Sequence, residues 1–377
     1  MEFSIYIHFP YCKSKCNYCD FYSITNLNSS GRLVSALLRE IENHVTDPRV
    51  EGGRVAAIFF GGGTPSLIPP EQILQIIKSI EGLLPVLPDA EITLEANPDD
   101  LDDTAIKKYL EVGINRISLG AQSFDDRDLR VLGRRHDSQA IIRSAEGFKS
   151  SGLTNFSLDL IYGIPGQSFD SWRETVGLAL SLDPKHISAY CLTVEEDTPL
   201  YCAVREERIM LPSDSELGDM YIAAVDMLES AGLLQYELSN FARVGFESRH
   251  NLAYWTSKPY LGFGPSASSY VHPHRWTNVA DVTRYIDMID DCNHAVGQEE
   301  ELTSDMIRSE FVMLSLRLKA GLDLGEYRNR FGEDLSETHA NRIQHFVKEG
   351  MMERRDDCLR LTPKGMFVSD AIIADLV

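Results

Sequence analysis

The chain has 377 residues, 43% of them apolar and 25% charged, a globular composition that predicts one large α/β domain with a smaller appendage. Its 36 basic and 57 acidic side chains leave a net charge of −21, which repels a polyanion over most of the surface and argues against nucleic acid as a partner. The first residues lack a basic region followed by a long apolar one, no uncharged stretch qualifies as a transmembrane segment, and three of the seven cysteines fall within eight residues, so a cytoplasmic, metal-binding protein is expected rather than a disulfide framework.

In chain order, Phe3–His8 reads as a strand and Arg32–Val45 as a helix. Val55–Phe60 is a short, continuous apolar run, as a buried parallel strand should be. Pro70–Leu84 has helical periodicity, with Ile73, Ile76, Ile77 and Ile80 on one face. The alternation continues through strand Glu91–Glu95, helix Asp102–Val112, strand Arg116–Leu119 and one or two helices in Asp125–Ser150. Strand Phe156–Ile161, helix Phe169–Leu180, strand His186–Tyr190 and helix Asp214–Ala231 complete it. The arginines at 127, 130, 134 and 135 read as a solvated helix face. Six strands alternating with helices predict a parallel sheet with right-handed crossovers, either an open, incomplete (β/α) barrel or a doubly wound sheet.

After about residue 232 the rhythm stops. Gln235–Val279 reads as strand and loop, and Asp281–Asn293 as a helix. From Thr303 the texture changes: helices Asp305–Leu318, Leu324–Phe331 and Glu337–Glu349, a hairpin over Met352–Leu361, and a last helix Lys364–Ala374 suggest a winged-helix-like module. The expected domains are 1–232, a strand and loop extension over 233–300, and a mainly helical module over 301–377.

Cys12, Cys16 and Cys19 have the spacing CxxxCxxC, on the loop that follows the first strand. In parallel α/β architectures that end of the sheet is where sites form. Three thiolates ligate three irons of a [4Fe–4S] cubane and leave the fourth open. The amino and carboxylate groups of S-adenosylmethionine (SAM) would chelate that iron, and an electron from the cluster would cleave its C–S bond. The alternative is a zinc site with His8 as fourth ligand, although structural zinc sites more often use two CxxC pairs.

The later strand ends carry polar residues that a core does not require. Gly61, Gly62 and Gly63 precede Thr64 and Pro65; they let the backbone approach a ligand, or simply make a turn. Glu95 ends the third strand, where a carboxylate can accept ribose hydroxyls or serve a helix N-terminus. Gln122 ends the fourth strand. Asp159 sits inside the apolar fifth strand and needs a partner there, and Arg134 is the candidate for it or for the SAM carboxylate.

Taken together, YIHFPYC with CxxxCxxC, GGGTP, LEANP, LGAQSF, LGRRH and LDLIYGIPGQS resemble the radical SAM proteins related to oxygen-independent coproporphyrinogen III oxidase, over nearly the whole chain. The resemblance implies a partial (β/α)6 barrel with a helical C-terminal region. It implies cluster ligation by Cys12, Cys16 and Cys19, with Tyr6 lining the SAM site and Tyr18 bordering it. Gly62, Gly63 and Thr64 match contacts to the methionine part, Glu95 the ribose ligand, Gln122, Arg134 and Asp159 further SAM contacts, and Thr193 a backbone contact.

Two departures separate the chain from the oxidases. Their motif resembles CxxxCxxCxC, whereas Phe21 stands at the last position here, and their extension before the first strand has no counterpart. His250-Asn-Leu-Ala-Tyr-Trp255 instead resembles the HNxxYW motif of the heme chaperone branch. That likeness implies heme as a ligand, His250 as its axial ligand with Tyr254 and Trp255 against the macrocycle, and transfer to respiratory hemoproteins that stand at the membrane. A hydrogen-bonded histidine in an aromatic patch is the plainer reading of His250, and His272, His274 and Trp276 read as structural. The competing functions are the decarboxylating oxidase and another radical SAM enzyme with a small substrate.

Overall fold

The computed structural model describes residues 1–44 and 50–377. Val45, the expected end of the first helix, lies outside them. Six strands alternate with helices: β1 (Glu2–Phe9), α1 (Ser30–His44), β2 (Arg54–Gly62), α2 (Pro70–Leu83), β3 (Val86–Ala96), α3 (Asp103–Glu111), β4 (Arg116–Gln122), α4 (Asp126–Leu132), α5 (Ser138–Ser150), β5 (Phe156–Tyr162), α6 (Phe169–Ser181) and β6 (His186–Cys191). The stretch read as one or two helices is two, because Gly133 caps α4 in the left-handed conformation and Asp137 caps the start of α5. β1 to β6 are neighbours in sequence order, each pair parallel. This is a partial (β/α)6 barrel.

Strand alternation divides the side chains into two sets. Ile5, Ile7, Ile58, Leu94, Ile117, Leu119, Leu158 and Leu160 are buried in the core, which the helices cover with faces such as Ile73, Ile76, Ile77 and Ile80. The intervening positions, among them Tyr6, Thr93, Glu95, Arg116, Ser118, Asp159, His186 and Ser188, line the barrel interior. A helix-facing set of branched aliphatics and an interior set of polar groups are thus written into the same strands.

The chain continues through α7 (Pro199–Arg205), α8 (Asp214–Ser230), β7 (Leu234–Gln235), β8 (Asn240–Ala242), α9 (Arg249–Trp255), β9 (Tyr260–Phe263), β10 (Ser268–Val271), β11 (His274–Asn278), α10 (Val282–Cys292) and β12 (Val296–Glu301). These strands join the barrel sheet, making twelve strands in the order β12-β11-β10-β9-β1-β2-β3-β4-β5-β6-β8-β7. β9 lies parallel to β1, whereas β8 runs antiparallel to β6. Sequence periodicity missed α9, a two-turn helix capped by Ser248 whose polar face points into the barrel. Arg116, buried and paired with Glu91 at 3.1 Å, donates to the Phe246 carbonyl at 2.9 Å, while Glu91 accepts from the Arg249 amide at 3.0 Å. These bonds hold the segment around α9 beneath the lumen.

Glu40 of α1 ties the extension to the barrel. Its carboxylate accepts from the Gly264 amide, from Asn278 and from the Tyr285 hydroxyl. The C-terminal module starts with α11 (Ser304–Arg317), and its strands β13 (Leu322–Asp323), β14 (Met352–Arg355) and β15 (Cys358–Leu361) form a separate sheet in the order β13-β15-β14. It packs on α8 through Phe367, 6.0 Å from Tyr221 between ring centroids.

Candidate functional site

The cysteine loop leaves β1 at Phe9 and is pinned at its base. The Cys12 amide donates to Ile24 and the Ile24 amide to Pro10, at 2.9 and 2.7 Å. Its middle is held at Asn17, whose amide and side chain donate to Leu132 and Val131 at the end of α4, and whose carbonyl accepts from Leu200 of α7. Cys12, Cys16 and Cys19 consequently face one cavity of about 490 Å³ at the C-terminal ends of β1 to β6.

The thiols have donors ready. Thr64 Oγ1 lies 3.5 Å from Cys12 Sγ, and Arg134 Nη1 lies 3.5 Å from Cys16 Sγ. Burial pushes the Cys12 and Cys19 thiols up, with smaller lowering contributions from hydrogen bonds. A cationic iron centre reverses that penalty, because a metal-bound thiol is deprotonated. Among the described residues, no three of His, Cys, Asp and Glu are gathered tightly enough for a single metal ion. The zinc alternative also fails at His8, whose Nδ1 accepts from the Tyr6 hydroxyl at 3.0 Å and whose Nε2 donates to the Tyr22 carbonyl at 3.1 Å. The donor set suits a cubane held at three corners.

The cavity brings Cys12, Cys16, Tyr18, Cys19, Gly62, Gly63, Thr64, Glu95, Gln122, Arg134, Asp159 and Thr193 together. The glycines are required sterically. Gly62 has φ +111°, and a Cβ there would lie 2.7 Å from the His8 ring; at Gly63 it would lie 2.7 Å from the Tyr11 carbonyl oxygen. Glu95 accepts from the Gly62 amide at 3.1 Å, and burial, then the neighbouring charge of Asp159, raises its carboxyl to about 8. Gln122 occupies a left-handed backbone position, φ +67°, at a register shift between β4 and β5 that turns its side chain into the cavity.

Arg134 does not pair with Asp159. It donates to Gly120 at 2.9 Å and to Asn97, and it faces Cys16; Asp159 accepts from Ser118 at 3.0 Å and Ser188 at 2.8 Å. Sequence reading missed Asn97, which also donates to Thr64 at 3.2 Å, and Ser118. The alternation of β4 could have found Ser118; Asn97 needed the fold.

Tyr6 sits below this cavity, in a second chamber of about 300 Å³ that shares Phe21, Gly62, Glu95, Ser118, Asp159 and Tyr190 with the first. His250 is there too. It is 2% exposed, stacked on Phe59 at 4.8 Å and on Tyr6 at 5.7 Å, with Nδ1 3.1 Å from the Ser4 hydroxyl. Burial lowers its imidazole to about 3, so it is neutral. The ring is thus packed among aromatics and Nδ1 is engaged, in a chamber of about 300 Å³ that opens into the cysteine cavity. Phe21, by contrast, is 71% exposed at the rim of both chambers.

A partial six-fold α/β barrel with a three-cysteine loop at its strand ends defines a radical SAM domain, and the Radical SAM superfamily model matches residues 6–179. A HemN C-terminal domain model matches residues 302–368. The chain belongs to the HemW family of that superfamily. It is 34% identical to the heme chaperone HemW of Bacillus subtilis over 98% of this chain and 97% of that one, and 37% identical to the heme chaperone HemW of Escherichia coli over 71% and 70%. The solved coproporphyrinogen III oxidase HemN of Escherichia coli shares the fold, with a TM-score of 0.83 and 23% identity over 99% of this chain and 89% of that one.

Proposed function

We propose that this chain is a heme chaperone that carries a [4Fe–4S] cluster on Cys12, Cys16 and Cys19, binds SAM beside it, and passes heme to acceptor hemoproteins. The observation that supports it most is the convergence of three thiols and the Gly62–Thr64, Glu95, Gln122, Arg134 and Asp159 set on one cavity. Its relatives' name, heme chaperone, supplies the cargo. Bound SAM, reduced by the cluster, supplies a 5′-deoxyadenosyl radical. The residues of the chain bind and orient: Thr64 and Arg134 donate towards the cysteine sulfurs, Gly62 and Gly63 admit a ligand against the backbone, Glu95 accepts sugar hydroxyls, and Thr193 faces the same cavity. The exposed Phe21 at the rim of both chambers would offer heme an aromatic face where the oxidases have a further thiol.

Among the described residues no helix is long and apolar enough to cross a membrane, so membrane-borne acceptors would be met at the bilayer surface. The division at residues 232 and 300 goes with this reading, the middle segment closing the barrel and the last one covering α8.

Anaerobic reconstitution with iron and sulfide is expected to give a reducible cluster, and heme titration a stable Soret shift with transfer to an apo-hemoprotein. Protoporphyrinogen formation from coproporphyrinogen III would overturn the chaperone reading. His250→Ala is expected to leave the Soret shift in place and to lower stability by about 1–3 kcal/mol through the lost stacking; loss of heme binding in a folded variant would restore His250 as the ligand.

A further inference from the structure

A chain of aromatic rings leads out of the lower chamber. Tyr6 stacks on His250 at 5.7 Å; His250 meets Tyr254 edge-on at 4.7 Å; Tyr254 meets Tyr260 at 4.3 Å; and Tyr260 lies 6.1 Å from Tyr270 between ring centroids. Both ends are tyrosine–histidine pairs. The inner Tyr6 hydroxyl donates to His8 Nδ1 at 3.0 Å, with the His8 tautomer set by the bond from Nε2 to Tyr22. The outer Tyr270 hydroxyl lies 3.4 Å from Nδ1 of the exposed His272. At Tyr254 and Tyr260 phenylalanine would supply the same ring contacts, and a buried hydroxyl costs free energy that packing does not require. What a phenol adds is one-electron chemistry.

We propose that Tyr6, His250, Tyr254, Tyr260 and Tyr270 form a relay that carries an oxidising equivalent from the barrel lumen to the surface at His272. A carbon-centred radical in the lumen takes the hydrogen atom of the Tyr6 hydroxyl; a C–H bond forms, the O–H bond breaks, and a phenoxyl radical remains. An electron then passes inward from Tyr254 across the His250 ring, and Tyr6 regains a proton from the lumen carboxyl groups, which exchange with solvent through the cavity. Tyr254 releases its proton to the chamber it lines and takes one back when Tyr260 reduces it, and the half-buried Tyr260 exchanges its proton with solvent in the same way when Tyr270 reduces it. Tyr270 gives its proton to His272, and a small external thiol restores it by donating a hydrogen atom, two thiyl radicals then coupling to a disulfide. A chaperone without a substrate radical to consume each turnover gains a discharge path that spares its backbone. The source of the radical rests on the SAM reading; the relay itself does not.

The test therefore uses the full chain without SAM. With 3-aminotyrosine in place of Tyr6, the most easily oxidised phenol sits at the inner end. Azide radicals generated by pulse radiolysis oxidise the surface, and an aminotyrosyl radical is expected to grow in at position 6, read by its absorption and electron paramagnetic resonance. Tyr254→Phe and Tyr260→Phe keep the rings and remove the phenols, and each is expected to abolish that arrival, while Tyr162→Phe, away from the chain of rings, leaves it intact. Arrival at the parent rate in the Tyr260→Phe variant, or no arrival in the parent, overturns the relay. Absence of 5′-deoxyadenosine from reconstituted protein with SAM and reductant would count against the radical source instead.

Discussion

Two buried acidic clusters lie on opposite sides of β1, and they are built in opposite ways. Around Glu40 the carboxylate oxygens each find donors, from Asn278 on one side and from Gly264 and Tyr285 on the other. In the lumen, Glu95 has one amide donor and a second carboxylate, Asp159, as a neighbour, and the Thr93 hydroxyl, 1% exposed, has no partner. The Glu40 carboxylate finds all its donors within the fold and acts as a clamp between α1, α10 and the β9–β11 hairpins. The second leaves bonds to be made, which is what a binding site needs and a core avoids.

The sharpest way to break that contrast is Glu40→Ala. It strands three buried donors, and a loss of about 3–5 kcal/mol in chemical denaturation is expected, the scale of several neutral donors left unpaired at about 1–3 kcal/mol each, with SAM affinity unchanged; a small loss would mean that the clamp is ornamental. The pH dependence carries nearly the same weight. Burial raises the Glu40 carboxyl to about 7 from an ordinary 4.5, so the native state keeps a proton that the unfolded chain releases. Its stabilising contribution is full below about pH 4.5 and is lost as pH climbs towards 7, about 3 kcal/mol across the window. Glu40→Gln should remove that share of the slope, measured as the difference between the two stability–pH curves.

On the lumen side the expected effects move from stability to binding. Measured above pH 8, where the Glu95 carboxyl is ionised, Glu95→Gln should cost about 1.5–3 kcal/mol of SAM affinity by calorimetry, as for hydrogen bonds to a charged group, without lowering the denaturation midpoint. Equal SAM affinity in the variant would remove Glu95 from the site. Thr93→Val is the smallest change: a hydroxyl with no partner becomes a methyl, and a gain of about 1 kcal/mol is expected. A loss would show that the hydroxyl is satisfied in solution.

The legibility of the fold varied with the kind of signal. Branched-aliphatic runs located all six barrel strands, whereas the break at Gly133 and the cap at Asp137 that make two helices of Asp125–Ser150 were not read. The extension was harder, since β7 has two residues and β8 three, too short for any period to register. α9 was hidden for the same reason, and with it the surroundings of His250, whose motif could be read but whose burial could not. For the site, Cys12, Cys16 and Cys19 were evident because ligand spacing is local, and the glycine run was visible as composition, although the His8 and Tyr11 atoms that demand glycine at 62 and 63 come from a different strand end. The partners of Asp159 were not, since Ser118 and Ser188 come from neighbouring strands 41 and 29 residues away.

What the sequence alone determined is the rhythm of strands and helices and the chemical identity of each strand end, because periodicity and residue type act over a few positions. What only the tertiary structure decided is which polar groups end up satisfied. Strand neighbours and the closure beneath the lumen assign Arg134 to Asn97 and Gly120, give Asp159 its two serines, and fold His250 in against Tyr6. Hydrogen bonding and burial are pairwise and long-range, so no residue carries them by itself.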